Sequence, residues 1–423
     1  MDPGTLIVGA GQAGLQLAVS LRELGDASPV TLVGEEVHPP YQRPPLSKEF
    51  LAGTAERDSL MFRTPGFYGD ADIHLVCDER IVELDLSVDG DGCGVATTAG
   101  GRRIAFARLA LTVGASPRRL TLPGTDLDGI CYLRDLDDAD DLRVRFQAAE
   151  RVVVVGGGFI GLEAAAVARA AGKTVTVVEA ADRLIARAVA PVVSEFYRQA
   201  HERRGTTVLL SAVVAGFTGN AGRVSAARLA DGRELPADVV VIGVGIVPRT
   251  ELAEQIGLEC DGGIVVDAHS RTSKPSIVAA GDCTVLPHPL TGVGRVRLES
   301  VQNALSQATI AAASLLGAPV DTKTKSVPWF WSNQGDLRLQ IAGLAAGHDS
   351  YVVRGDPATE RFSVLYYRGN ELLAVDAVNN PADYLVVRKA LAQGATIPAG
   401  PAADAATPLK TLVVAVPEVG PGH

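Results

Sequence analysis

Thr5-Leu6-Ile7-Val8-Gly9-Ala10-Gly11-Gln12-Ala13-Gly14 sets a short aliphatic run directly before glycines spaced G-x-G-x-x-G. Residues 13–24 follow with helical spacing of Leu15, Ala18, Val19 and Leu21 and stop at Gly25, and Val30-Thr-Leu-Val33 is the next apolar run. Strand, tight turn, helix and strand make a βαβ unit of a buried parallel sheet. In that setting each glycine has its own task. The first makes the turn, the second lets backbone approach a pyrophosphate, and the third admits the helix close to the strand, with the anion at the helix N-terminus. Glu35, 21 positions after Gly14, stands close to where a ribose-binding carboxylate belongs, with Glu36 the alternative.

The grammar recurs 147 positions later. Arg151-Val-Val-Val-Val155 runs into Gly156-x-Gly158-x-x-Gly161, a helix is predicted over 160–171, and Thr174-Val-Thr-Val-Val178 ends at Glu179. Short strands and turns fill 88–112, further strands are expected near Val208, Arg223 and Val239, and the apolar runs 239–244 and 276–280 read as buried parallel strands. After about residue 325 the aromatics Trp329, Phe330, Trp331, Tyr351, Phe362, Tyr366 and Tyr367 gather in strand-like alternation. The expected fold class is α/β, with two Rossmann-like dinucleotide-binding domains and a C-terminal α+β domain.

Two dinucleotide sites on one chain suggest electrons moving between two dinucleotides, and flavin with nicotinamide is the usual combination. Ala279-Ala-Gly281-Asp282 ends a strand with a carboxylate able to accept hydrogen bonds from the ribityl chain of FAD. Its bland alternative is a helix cap. Val244-Gly245-Ile-Val-Pro248 resembles a segment returning the chain from a nicotinamide domain to a flavin domain. Prolines in Pro39-Pro-Tyr-Gln-Arg43-Pro-Pro-Leu-Ser-Lys48 stiffen a loop and hold Arg43 and Lys48 in place. The guanidinium can neutralise a pyrophosphate, and the lysine can stabilise an anionic reduced flavin.

Composition excludes several classes. At 423 residues the chain is long enough for two or three domains, and its net charge of −10 disfavours wholesale nucleic-acid binding. Hydrophobic residues make up 47%, yet no apolar run approaches the ~18 residues of a membrane span, and Met1-Asp2-Pro3-Gly4 has no basic leader, so the cytoplasm is expected. Cys77, Cys93, Cys131, Cys260 and Cys283 form no C-x-x-C pair and no metal-site spacing, so no metal is expected.

Taken together, the Gly9 fingerprint, Tyr41-Gln-Arg-Pro-Pro-Leu-Ser-Lys48, the Gly156 fingerprint with Glu163, Gly281-Asp282, Glu299-Ser-Val301-Gln-Asn-Ala304 and Pro328-Trp-Phe-Trp-Ser-Asn-Gln334 resemble the FAD-dependent ferredoxin reductases of bacterial oxygenase systems. The resemblance runs from about residue 4 to about residue 412. It implies a glutathione-reductase-like fold: an FAD domain in two pieces (1–117 and 246–324), an inserted NADH domain (118–245) and a C-terminal domain (325–423). By resemblance Gly9, Gly11, Gly14, Glu35, Arg43, Lys48 and Asp282 contact FAD, Trp331 and Val301 belong with them, and Glu163 approaches the nicotinamide and pairs with Lys48. Gly156, Gly158, Gly161, Glu179, Arg187 and Gly245 belong to the NADH site. Leu111-Thr-Val-Gly114 departs from the family's alanine-threonine-glycine while keeping the glycine.

Hydride transfer from nicotinamide to flavin needs no protein nucleophile, so a missing triad is expected. Glu179 suits both ribose hydroxyls and repels a 2′-phosphate, and Ala180 and Ala181 stand where an NADP site would want arginine, so NADH is preferred. Arg183 and Arg187 are weaker candidates for phosphate or adenine contact. The implied partner is an acidic 2Fe-2S ferredoxin supplying a haem-thiolate monooxygenase or an aromatic-ring dioxygenase. Arg295, Arg297, Arg338, Arg388, Lys389 and Lys410 are candidates for its docking. A disulfide reductase would need a cysteine within residues 10–60, where there is none. Monodehydroascorbate reductase, NADH oxidase and a redox-sensing protein like apoptosis-inducing factor share the cofactor motifs.

Overall fold

A computed structural model describes residues 3–87, 92–320 and 326–415. Residues 88–91 of the strand-and-turn stretch, the boundary drawn at 325 and the first two residues lie outside that set. The chain divides into two compact units. The first comprises Met1–Gln42, Arg57–Ser116 and Ile246–Pro328, and the second Arg43–Glu56, Pro117–Gly245 and the chain from Trp329 onward.

In the first unit five strands form a parallel sheet in the order Ile277–Ala279, Arg108–Leu111, Thr5–Val8, Val30–Val33, Ile73–Val76. Thr5 pairs with Val30 on one side and Arg108 on the other. Strand alternation splits the core between the two faces. Ile7 packs with Leu17, Leu21 and Ala308 under the helices Gln12–Glu23 and Val301–Leu315, whereas Leu6 and Val8 join Ile81, Phe106 and Ile277 on the opposite face. The second helix begins at Ser300, whose hydroxyl caps Asn303 N–H.

The second unit carries an equivalent parallel sheet in the order Thr207–Leu209, Thr174–Val178, Arg151–Val155, Val239–Ile242, Ile130–Tyr132. It also carries an antiparallel sheet in the order Trp329–Gln334, Leu337–Gly343, Glu371–Val378, Arg361–Arg368, Ser350–Asp356. The segment expected as a third domain shares one apolar core with the nucleotide fold: Val152, Val154, Leu162 and Val177 lie in the same cluster as Leu337, Leu339, Phe362 and Tyr366. Leu51 belongs to that cluster too, and Arg143 stacks on Phe50, which ties the proline-rich loop to this unit. Among the described residues no helix is long and apolar enough to cross a membrane, and no group of three or more His, Cys, Asp or Glu could hold a metal ion.

Candidate functional site

The two glycine turns are built alike. Gly9 has φ +112° and Gly156 φ +108°, a left-handed region that favours glycine. A Cβ on Gly14 would lie 2.0 Å from Gly9 O, and one on Gly161 would lie 2.4 Å from Gly156 O, so both third glycines let a helix sit against its turn. The middle glycines differ from these. A Cβ at Gly11 or at Gly158 would meet nothing within 4 Å. Packing does not demand glycine there, so the missing side chain leaves room for an outside group. Gly11 and Gly158 are the N-caps of Gln12–Glu23 and Phe159–Ala170, and neither helix has an acidic residue in its first turn or a side-chain cap. Each therefore presents unscreened N–H groups and the positive end of its dipole, the donor set a dinucleotide pyrophosphate requires.

The carboxylates expected to bind ribose have protein partners. Glu35 is ion-paired with Arg249, which also donates to Ser116 Oγ at 2.7 Å. Glu36 accepts from Tyr41 OH at 2.5 Å. Glu179 accepts Gly157 N–H at 2.6 Å on one oxygen and Ala181 N–H at 2.7 Å on the other. It braces the glycine turn and keeps lone pairs for a further donor. Arg183 donates to Val189 O and Ser194 Oγ, which makes it part of the loop's own scaffold, and Arg187 is exposed. Gly245 has φ +104°. Gly281 N–H donates to Gln307 Oε1 at 2.9 Å, and the half-buried Asp282 next to it begins no helix.

Within the second unit the proline-rich loop meets the fingerprint helix. Pro44–Ser47 forms one 3-10 turn, Arg43 donates to Arg134 O at 2.8 Å, and Lys48 Nζ lies 2.9 Å from Pro44 O and 2.7 Å from Glu163 Oε2. Glu163 is 2% exposed, one turn into its helix, and also accepts Ser47 Oγ at 2.5 Å and Ser332 Oγ at 2.6 Å. Both oxygens of this buried carboxylate have donors, Lys48 and Ser47 on Oε2 and Ser332 on Oε1. Both serines lie inside the motifs at 41–48 and 328–334, where nothing local in the sequence assigns them a task. Their separations of 116 and 169 residues from Glu163 carry no local signal.

Trp329 and Trp331 have ring centroids 5.5 Å apart and are half-buried, so they are not a core pair. Arg388 lies 5.0 Å over the Trp329 ring. Among the other basic candidates Arg295 is matched by Glu259 and Arg297 by Glu299, while Arg338, Lys389 and Lys410 are exposed. Val301 is the first residue of its helix and half-buried. All five cysteines are free, and burial pushes the Cys131 and Cys283 thiols up to about 12.

A family model described as pyridine nucleotide-disulphide oxidoreductase matches residues 4–308, and one described as reductase C-terminal matches residues 329–413. The rhodocoxin reductase of Rhodococcus erythropolis is 43% identical over 96% of this chain and 94% of its own. The ferredoxin reductase subunit of the 5,5′-dehydrodivanillate O-demethylase of a Sphingobium species is 42% identical over 97% of this chain and 98% of its own. A crystal structure of the covalent putidaredoxin reductase–putidaredoxin complex superposes with a TM-score of 0.91 at 38% identity, covering 97% of each chain.

Proposed function

The chain belongs to the pyridine nucleotide-disulphide oxidoreductase family, and on that premise we propose that it moves electrons from NADH through FAD, one at a time, to an acidic 2Fe-2S ferredoxin that feeds an oxygenase. It is an FAD-dependent oxidoreductase that uses a reduced nicotinamide nucleotide. Bound flavin and nicotinamide supply the redox chemistry themselves. The protein's part is to hold, orient and polarise.

Gly9, Gly11 and Gly14 receive the FAD pyrophosphate, and Gly156, Gly158 and Gly161 that of NADH. Arg249 fixes Glu35 for the FAD ribose, and Asp282 accepts from the ribityl chain. Lys48 supplies positive charge to the reduced ring, with Glu163 holding Lys48 in place and Trp331 beside the ring. Arg43 stiffens the loop through Arg134 O and supports the same phosphate. Glu179 selects NADH by repelling a 2′-phosphate, with Arg187 and Gly245 at the edge of that site. Ferredoxin reductases among the relatives support the partner, and the exposed Arg338, Lys389 and Lys410 with Arg388 supply cations for an acidic surface. A cytoplasmic place suits five free cysteines, which stay reduced there.

One observation carries the reading: two separate turns whose middle glycine faces open space at a helix N-terminus. Anaerobic mixing of the purified protein with NADH should bleach the flavin absorbance, and cytochrome c reduction should become rapid only when ferredoxin is added. A colourless protein, or equal cytochrome c reduction without ferredoxin, would remove this function.

A further inference from the structure

Glu163 is also one end of a longer polar chain. Ser332 Oγ, 2.6 Å from Glu163 Oε1, lies 3.3 Å from Gln334 Nε2, and Gln334 Oε1 lies 2.8 Å from His201 Nε2. Ser332, Gln334 and His201 are all buried, at 0%, 1% and 3% exposure. The direction of each hydrogen follows from the inner end. A carboxylate only accepts, so Ser332 donates to it. The Ser332 oxygen then accepts from the Gln334 amide nitrogen, which turns the Gln334 oxygen toward His201, so His201 Nε2 carries a hydrogen. Three donors in series point at Glu163.

The outer end of the chain opens on a cavity of about 380 Å³ whose lining includes Arg169, His201, Arg204, Gln334 and Asp336. Burial holds the His201 imidazole below its ordinary value, with the Gln334 hydrogen bond opposing the fall and Arg204 adding to it. Titratable neighbours of Glu163 include Lys48 and the buried Tyr197. Nothing in the binding of a dinucleotide requires His201 on the helix Pro191–Arg203 to reach the strand Trp329–Gln334. The inward polarity of the hydrogen bonds does explain it.

We propose that His201 is a positioning residue for the Lys48–Glu163 pair, holding Glu163 Oε1 through Gln334 and Ser332 so that Oε2 stays on Lys48 Nζ. This deepens the reading above and rests on it for the consequence at the flavin. The chain orients and does not conduct, because a carboxamide passes a proton on only by becoming an imidic acid. Hydrogen-bond chains of this kind strengthen one another in a low-dielectric interior, so cutting the outermost link weakens the innermost one.

The test is infrared spectroscopy of the holoprotein. The carboxylate band of Glu163 is the one lost in Glu163→Gln. It should shift in Ser332→Ala, shift in the same direction but less in His201→Leu, and return toward its original position in His201→Gln, whose amide donates at similar reach. A band that moves in Ser332→Ala and stays unmoved in folded His201→Leu overturns the proposal. If His201→Leu does not fold, His201→Met removes the same donor while filling more of the ring's space and is read the same way. Midpoint potentials on these variants separate the two claims. A band shift with a more negative flavin potential supports both. A band shift with an unchanged potential keeps the role of His201 and removes the Lys48–Glu163 pair from the flavin.

Discussion

Lys48 Nζ lies 2.7 Å from Glu163 Oε2, with the two side chains at 11% and 2% exposure. Removing one partner of so enclosed a pair leaves the other charge unmatched, which costs about 3 kcal/mol or more, whereas removing both is far milder. Lys48→Met should therefore lower unfolding stability more than the double variant Lys48→Met/Glu163→Gln, in which the amide still accepts from Ser47 and Ser332. Urea unfolding of the four proteins of this cycle gives the comparison, and strictly additive losses would count against a coupled pair.

The glycine turns make a sharper distinction. Gly158→Ala adds a methyl where the protein places nothing within 4 Å, while Gly161→Ala drives one to 2.4 Å from Gly156 O. The first variant should fold with wild-type thermal stability and full flavin content, yet show a raised KM for NADH. The second should be destabilised. Gly11→Ala is the mirror experiment: a folded protein that loses its flavin. Flavin retained in Gly11→Ala and lost in Gly158→Ala would reverse the assignment of the two sites.

Both turns were legible because each is local: a strand, three glycines and a helix lie within about twenty residues, and backbone sterics fix their meaning. The same holds for the stiff loop that presents Lys48. What could not be read was pairing across distance. Glu35 meets Arg249 from 214 residues away, and Glu163 meets Ser332 from 169, with neither hydroxyl nor guanidinium marked by periodicity. Composition and resemblance set the segment after Trp329 apart, but neither shows that its sheet buries one core with Val152, Leu162 and Val177, which exists only once the sheets are packed.

Glu179 has two tasks, and they can be separated. Its oxygens hold Gly157 and Ala181 N–H at 2.6 and 2.7 Å, so Glu179→Ala loosens the turn as well as removing the charge. Glu179→Gln keeps an acceptor for Gly157 and removes the repulsion of a 2′-phosphate. Combined with Ala180→Arg, it should raise the NADPH to NADH ratio of kcat/KM by roughly tenfold or more, about 1.4 kcal/mol. A ratio unchanged in steady-state kinetics would show that selectivity lies elsewhere.

Asp376 is fully buried beneath Tyr366, whose hydroxyl donates to it and accepts Ala190 N–H at 2.7 Å. Burial pushes this carboxyl up to about 7, with the Tyr366 hydrogen bond opposing the rise. Between the unfolded value of ~3.9 and that pKa, the folded chain keeps a proton the unfolded chain has released. Stability from this group is therefore fully present at low pH, falls as pH rises through that window and is level above it. Asp376→Asn should remove a decline of a few kcal/mol, leaving the variant close to wild type at pH 4 and more stable at pH 8. Chemical denaturation at both pH values decides this, and parallel pH profiles would contradict it.

Arg388 lies over the half-buried Trp329, 5.0 Å from the ring centroid, while Arg295 is matched by Glu259 at 2.9 Å and faces Asp261 at 3.9 Å. An acidic ferredoxin is steered by cations whose field is not already cancelled by a neighbour, so the two arginines should differ. Arg388→Glu should lower kcat/KM for ferredoxin by about tenfold at low ionic strength, a change of about 1.4 kcal/mol, and leave ferricyanide reduction by NADH at its wild-type rate. Raising the salt should close the gap, because exposed charges are screened beyond about 8 Å at physiological ionic strength. Arg295→Glu should cost much less at every salt concentration. A loss in Arg388→Glu that persists undiminished at high salt would mean that Arg388 acts by supporting Trp329 through packing, and the docking surface would then have to be sought around Arg338, Lys389 and Lys410.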